Sequence, residues 1–214
     1  MAGAVRIDHG TAAGTFSLDG ETFEVENNIW VVGDDDECVV IDAPHDVEAI
    51  LGVVGERRVK AILLTHAHDD HCRMAPALRE RVTAPIMLHP DERPLWELTH
   101  GDAETGQYLW DLDLADGVEI TVGAGEEAVT LTAIHTPGHA PGAVCFHAPA
   151  LGCLFTGDTL FHGGPGATGR SFSDRPTLEA SIRARLFGLP GDTVVHTGHG
   201  EDTTIAAEVE GLGV

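Results

Sequence analysis

Lysine is almost missing from this chain. Lys60 is the only one, and lysine and arginine together number 12 against 35 aspartates and glutamates, a formal charge of −23. Phosphate backbones and anionic membrane surfaces are held by clustered Lys and Arg. The balance therefore argues against nucleic acid or membrane as a partner and leaves a small molecule. Cysteine is scarce as well: Cys38, Cys72, Cys145 and Cys153 show no CxxC spacing. With no basic, apolar leader in MAGAVRIDHG and no run near the roughly 18 apolar residues that span a bilayer, the expectation is a cytoplasmic protein with reduced thiols.

At 214 residues with 43% hydrophobic composition, the chain is long enough to bury a core without staples and reads as one domain over residues 1–214. TFSLDG, ETFEVEN, NIWVVGD and ECVVIDA are short β-rich runs closed by turn residues, which predicts consecutive antiparallel strands. HDVEAILGVVGE has apolar residues at helical spacing. VKAILLT is continuously aliphatic, as a strand buried on both faces should be. HCRMAPALRERV predicts one helix, TAPIMLHP a strand, and PDERPLWELTH a short helix. Residues 100–117 predict a surface loop carrying Tyr108 and Trp110. Strands resume at VEITV, EEAVTLTAIHT, GAVCFHAP and LGCLFTGD. A Gly-rich loop, FHGGPGATGRSFSD, precedes a helix over 176–187; the strand TVVHTGH and the helix DTTIAAEVEGL follow. Strands then helices, twice, predict two sheets face to face with helices outside.

The chemistry is concentrated in HAHDDH, residues 66–71. It follows the buried strand, so a rigid edge presents His66 and His68, which point the same way in extended backbone. Asp70 and His71 lie where the next helix begins, where an acid is favoured. His66 and His68 can hold one ion, and Asp70 and His71 another; imidazole with carboxylate suits zinc, with iron or manganese as alternatives. More donors are needed, and three apolar β-like runs end in them: TPGH at His139, TGD at Asp158 and TGH at His199. In each, glycine precedes the candidate ligand and permits a sharp turn or a close backbone approach.

This set resembles the metallo-β-lactamase fold superfamily, and within it the hydrolases similar to glyoxalase II. The resemblance spans essentially the whole chain, through HxHxDH, TPGH, GDTLF and GHG. It implies an α+β (α/β) four-layer αββα sandwich. It places His66, His68 and His139 on one metal, Asp70, His71 and His199 on a second, and Asp158 and a hydroxide between them. The activity implied is hydrolysis of a thioester, with Asp70 also orienting the nucleophile. True glyoxalase II carries a C-terminal helical domain that helps hold glutathione, whereas here the sequence ends soon after His199. With a single lysine as well, glutathione is disfavoured. GDTLFHGGPGATGRSFSD looks like small actinobacterial members associated with mycothiol. Arg170 and Arg175 are candidate anchors for a substrate carboxylate, weighed equally against pairing with surface acids such as Asp174. His162 is a candidate for the pocket mouth.

Bland roles are expected elsewhere. Cys72 reads as core, His135 and His196 as core or supporting groups, and Asp69 as a helix cap or a prop for a ligand histidine. Asp34, Asp35 and Asp36 read as a solvated turn. Trp96, Tyr108 and Trp110 read as packing before groove wall. Persulfide dioxygenases with one iron, lactonases and a metal-sensing module are the rival readings. A flavin-dependent reductase is disfavoured, because those proteins carry an acidic variant of the motif.

Overall fold

A computed structural model describes residues 3–101 and 109–211; Tyr108 lies outside them. Two six-stranded sheets organise the chain. The first is built from β1 (Arg6–Leu18), β2 (Glu21–Gly33), β3 (Glu37–Ile41), β4 (Arg58–Leu63), β5 (Ile86–Leu88) and β6 (Leu112–Asp113) in that spatial order. Helices α1 (Val47–Val54), α2 (Asp69–Cys72), α3 (Ala75–Val82) and α4 (Arg93–His100) fill its connections. The second sheet holds β7 (Glu119–Val122), β8 (Val129–His135), β9 (Val144–Ala148) and β10 (Cys153–Gly157). After a two-stranded ribbon of β11 (Leu160–Phe161) and β12 (Gly164–Pro165) comes α5 (Arg175–Ser181), continued by a π-helical turn over Ile182–Leu186. Strands β13 (Val194–Thr197) and β14 (Thr203–Thr204) complete that sheet, in the order β14-β13-β10-β9-β8-β7, and α6 (Ile205–Gly211) follows.

Period-two side-chain alternation separates the layers. In β2, Trp30 and Val32 face the second sheet, where they join Val39, Ile41 and Leu63 against Leu131, Phe146 and Phe155. Ile29 and Val31 face the other way and pack with Val40, Ile62 and Leu64 under Ile50, Leu78 and Trp96 of the helices. On the far side, Cys145, Leu154 and Val195 meet Leu178, Ile182, Leu186 and Ile205. The result is the expected αββα sandwich. Phe146 and Phe155 are fully buried between the sheets, each contributing roughly 1.5–3 kcal/mol.

Several elements differ from expectation. ETFEVEN and NIWVVGD are one 13-residue strand, paired in register with β1 from Leu18↔Glu21 to Arg6↔Gly33. Its first half is an exposed ribbon and its second half is buried on both faces, so the change of pattern mimics a strand boundary. HCRMAPALRERV is not one helix: α2 ends at Cys72 and α3 begins at Ala75 with Pro76 in its first turn, where proline is tolerated. Asp34 is buried, not solvated, and Oδ1 accepts the Asp36 and Glu37 N–H groups at 2.8 Å each. Within the expected loop, β6 adds a short parallel strand beside β5. All four cysteines are free and buried, and among the described residues no helix is long and apolar enough to cross a membrane.

Candidate metal centre and cavity

β3 and β4 run parallel, as do β10 and β13, and β8 shares the direction of β10 through two antiparallel pairings. Beyond the carboxyl ends of these strands lies the crevice where α/β sheets place their sites. His66 follows β4, His139 follows β8, Asp158 follows β10 and His199 follows β13. The expected seven side chains converge there. His66, His68 and His139 offer donor atoms all within 4.8 Å of one another, and so do Asp70, His71 and His199. Asp158 stands between them, with Oδ1 3.2 Å from His71 Nε2 and Oδ2 3.6 Å from the Nε2 atoms of both His139 and His199.

Two of the preceding glycines have identifiable work. Gly138 has φ +135°, and a Cβ there would lie 2.2 Å from the Leu178 backbone nitrogen. A Cβ on Gly198 would lie 2.4 Å from Asp158 Oδ1 and 2.8 Å from His71 Cε1. The turns before His139 and His199 thus need glycine for the backbone to come this close.

Neighbouring acceptors fix four imidazole tautomers. His71 Nδ1 donates to Asp42 Oδ2 at 2.8 Å, His139 Nδ1 to the Ala167 carbonyl at 2.8 Å, and His199 Nδ1 to the Glu26 carbonyl at 2.8 Å. His66 Nδ1 lies 3.0 Å from Thr65 Oγ1, whose own hydrogen goes to Asp42. Each Nε2 therefore turns a lone pair toward the centre. His68 Nδ1 sits 3.0 Å from the Nε2 atoms of both His66 and His139, and the Nε2 atoms of His71 and His199 are 3.2 Å apart. Lone pairs held so close repel unless a cation or proton lies between them. Asp158 Oδ1 is buried without a hydrogen-bond partner, as an acceptor reserved for a cation would be. The donor set therefore fits a pair of divalent ions.

The two donor groups differ electrostatically: burial governs the first, and the acids around the second favour a positive charge there, proton or metal. Burial pushes His68 down to about 3 and holds His66 and His139 below the usual imidazole range. Burial would also lower His71, but Asp70, Asp158 and Asp42 together raise it well above its ordinary value. Burial opposes ionisation of Asp70, yet His71 and His199 hold its carboxyl at about 2.

A cavity of ≈390 Å³ opens over this cluster. Its floor is His68, Asp70, His139, Asp158 and His199; Phe16 and Val25 form an apolar wall, and Thr168, Arg170, Ser171 and Ser173 form a polar one. Arg170 donates to Glu21 Oε2 at 2.7 Å and stacks 4.5 Å over the Phe23 ring. Ser171 N–H donates to Asp19 Oδ2 at 2.8 Å, so the polar wall is strapped to the β1–β2 hairpin. Arg175 and His162 do not line the cavity. Arg175 pairs with Glu179 one turn along α5, while Asp174 caps that helix through Thr177 N–H. His162 is exposed and 3.7 Å from Glu201. Trp96 is buried against Trp110 in the helical layer and also lies away from the cavity.

Asp69 neither caps a helix nor props a histidine. It accepts the Ser17 N–H and pairs with Arg73, tying the hairpin to α2. Cys72 is core, as expected. His196 pairs with Asp202 beside Trp30. His135 stacks on His89 with ring centroids 4.2 Å apart and planes within 10°. Those two rings and Asp91 make a further group of potential donors, but lone pairs lying in parallel planes do not meet on one ion. Three supporting residues lie outside the motifs. Asp42 ends an apolar run much as the ligand positions do. Asn27 is a polar residue inside a strand, and Glu92 sits in a segment that reads only as a short helix. Asn27 Nδ2 donates to Asp70 Oδ2 at 3.0 Å, with its Oδ1 held 2.7 Å from His45 Nε2.

Comparison with known proteins gives the same picture. The family model of the metallo-beta-lactamase superfamily matches residues 23–199. The chain is 32% identical to a probable metallo-hydrolase, YqgX, of Bacillus subtilis, over 86% of this chain and 90% of that protein. It is 33% identical to the hydroxyacylglutathione hydrolase of Aeromonas salmonicida over 81% of this chain, but spans only 61% of that enzyme. Among solved structures, the BLEG-1 B3 metallo-beta-lactamase is 32% identical with a TM-score of 0.76, covering 93% of this chain and 97% of that one. TTHA1623 in a di-iron-bound form is 32% identical with a TM-score of 0.73, covering 86% and 92%.

Proposed function

The chain belongs to the metallo-beta-lactamase superfamily, and on that premise we propose that it is a dinuclear metal-dependent hydrolase cleaving a thioester of a low-molecular-weight thiol. The observation that carries the reading is the pair of complete donor groups with Asp158 between them. In this reading His66, His68 and His139 would hold one ion, Asp70, His71 and His199 the other, with Asp158 placed to serve both. A second complete group supports two ions over the single iron of the dioxygenase alternative. The nitrogen-rich set suits zinc; the di-iron form of a 32%-identical neighbour keeps iron as the alternative.

Bound there, divalent ions supply Lewis acidity, making water a nucleophile at neutral pH and drawing off charge from an attacked carbonyl. The residues do the rest. Asp70, ionised and fixed by Asn27, orients the attacking water from the cavity floor. Phe16 and Val25 pack the acyl portion and exclude bulk water from the carbonyl. A thiolate leaves without a strong general acid. Arg170 anchors an anionic end of the substrate: Glu21 takes one of its N–H donors, and a guanidinium has five. It is the one lysine or arginine among the described residues lining the cavity. This fits a thiol less dependent on cationic contacts than glutathione, such as a mycothiol derivative.

Elemental analysis with a panel of glutathione, coenzyme A and mycothiol thioesters tests the assignment. Asp158→Ala is expected to bind fewer than two ions and to lose hydrolysis; retention of both would remove the bridging role. Arg170→Ala is expected to raise KM for an anionic thioester more than it lowers kcat. Unchanged kinetics would dismiss Arg170 as the anchor.

A further inference from the structure

The first donor group draws on both halves of the molecule: His66 and His68 follow a strand of the first sheet, and His139 follows a strand of the second. One buried side chain grips both loops. Glu92 is fully buried, and its Oε2 accepts the Ala67 N–H at 2.7 Å, the amide between the two histidines of the first half. Its Oε1 accepts the Gly142 N–H at 2.6 Å, from the loop that carries His139.

We propose that Glu92 is a positioning residue for the first metal: its carboxylate clasps the His66–His68 turn to the His139 loop and sets the spacing of the three imidazoles. The proposal rests on the dinuclear reading above.

Three observations favour a role in the centre over one in the local helix. Glu92 ends a 3-10 turn (Pro90–Glu92) that runs into α4 and is capped by His89, and its own side chain makes no bond to the helix N-terminus, so its carboxylate serves the two loops and not the helix. The loop is shaped around it: a Cβ on Gly142 would lie 3.0 Å from Glu92 Cγ and 2.7 Å from His89 Nδ1. Burying a carboxyl carries a cost, visible in a titration pushed up to about 7 by burial against the pull of the two amides, and such a cost is retained where the group fixes geometry. The halves are also joined by Val144 N–H to the Thr65 carbonyl at 2.8 Å. That bond aligns strand ends, whereas the Glu92 bonds reach the amides next to the donors.

The test is cobalt titration of metal-free protein under chelator competition, followed by visible absorption, with the melting temperature of each metal-free protein measured alongside. Glu92→Gln keeps the volume but sets an amide N–H₂ against one of the two N–H donors. Glu92→Asp keeps the charge but loses reach. Both are expected to melt within a few degrees of wild type, to bind one of the two ions about 10- to 100-fold more weakly, and to show a shifted cobalt spectrum. Wild-type affinity and spectrum in either variant would overturn the proposal. Failure of both variants to fold would overturn it too, because the group would then prop the fold as a whole. Wild-type protein taking up fewer than two ions sinks the dinuclear reading itself, before any variant is compared.

Discussion

Asp34 illustrates how far one residue's position outweighs its neighbourhood in the sequence. In a run of three acids it reads as solvated, yet its carboxylate closes a turn by accepting two backbone N–H groups inside the protein. Those bonds, from Glu37 and then Asp36, hold its titration below the ordinary aspartate value. A depressed folded-state pKa gives stability that is fully present above the unfolded value of about 3.9 and is lost as pH falls through the folded one. Asp34→Ala is therefore expected to cost about 1–3 kcal/mol at neutral pH by removing a charged acceptor from two part-buried backbone N–H groups. The gap to wild type should narrow on acidification below pH ~4, as denaturant unfolding at a series of pH values would read. The ligand positions were easier to find than Asp34, because HAHDDH concentrates donors and each later motif ends an apolar run. Asn27 and Glu92 were not legible: a polar residue in a strand and an acid in a charged segment look ordinary until the fold shows what they touch.

Elements were legible where one periodicity held throughout. The buried strand β4, the main strands of the second half and the helix after Asp174 follow their patterns, although that helix ends in a π turn and the short strands β11, β12 and β14 fall in segments that read as loop or helix. β2 was misread because half of it is exposed ribbon and half is core, and the helix after His71 because Met74 and Pro76 restart it. The glycine before His139 reads as a turn in the sequence, but its partner does not show there. That partner is α5: Asp174 N–H donates to the Gly138 carbonyl at 2.7 Å, and Ser181 Oγ donates to the Pro137 carbonyl at 2.8 Å. Helix and turn dock as a unit, with no room for a methyl group against backbone. Gly138→Ala is expected to destabilise by roughly 2–4 kcal/mol and to displace His139, with a lower melting temperature and weaker retention of one metal in the same variant. A variant as stable as wild type would show that the helix shifts freely.

For the whole molecule, the dominant quantity is the charge of −23. Repulsion of that size slows the approach of an anionic substrate, and salt screens it over about 10 Å at 0.1 M. Raising ionic strength from low salt to 0.15 M is expected to increase kcat/KM for an anionic thioester, by about 2- to 10-fold on the low side of steering effects, and to leave a neutral ester unchanged. A fall with salt would mean that the Arg170 side of the cavity governs the approach. The layering of two sheets between helices was readable from the repeated strand-helix order; the strap between Ser171 and the hairpin, which joins distant parts of the chain, was not. That strap separates two duties. The candidate metal donors stand on strand ends and on α2, anchored in the core, while one cavity wall is a loop at 168–173 held by the ribbon tip at Asp19. Altering the tip by a few residues would shift the loop it holds, and with it the shape of the cavity wall, while leaving the donors behind it in place.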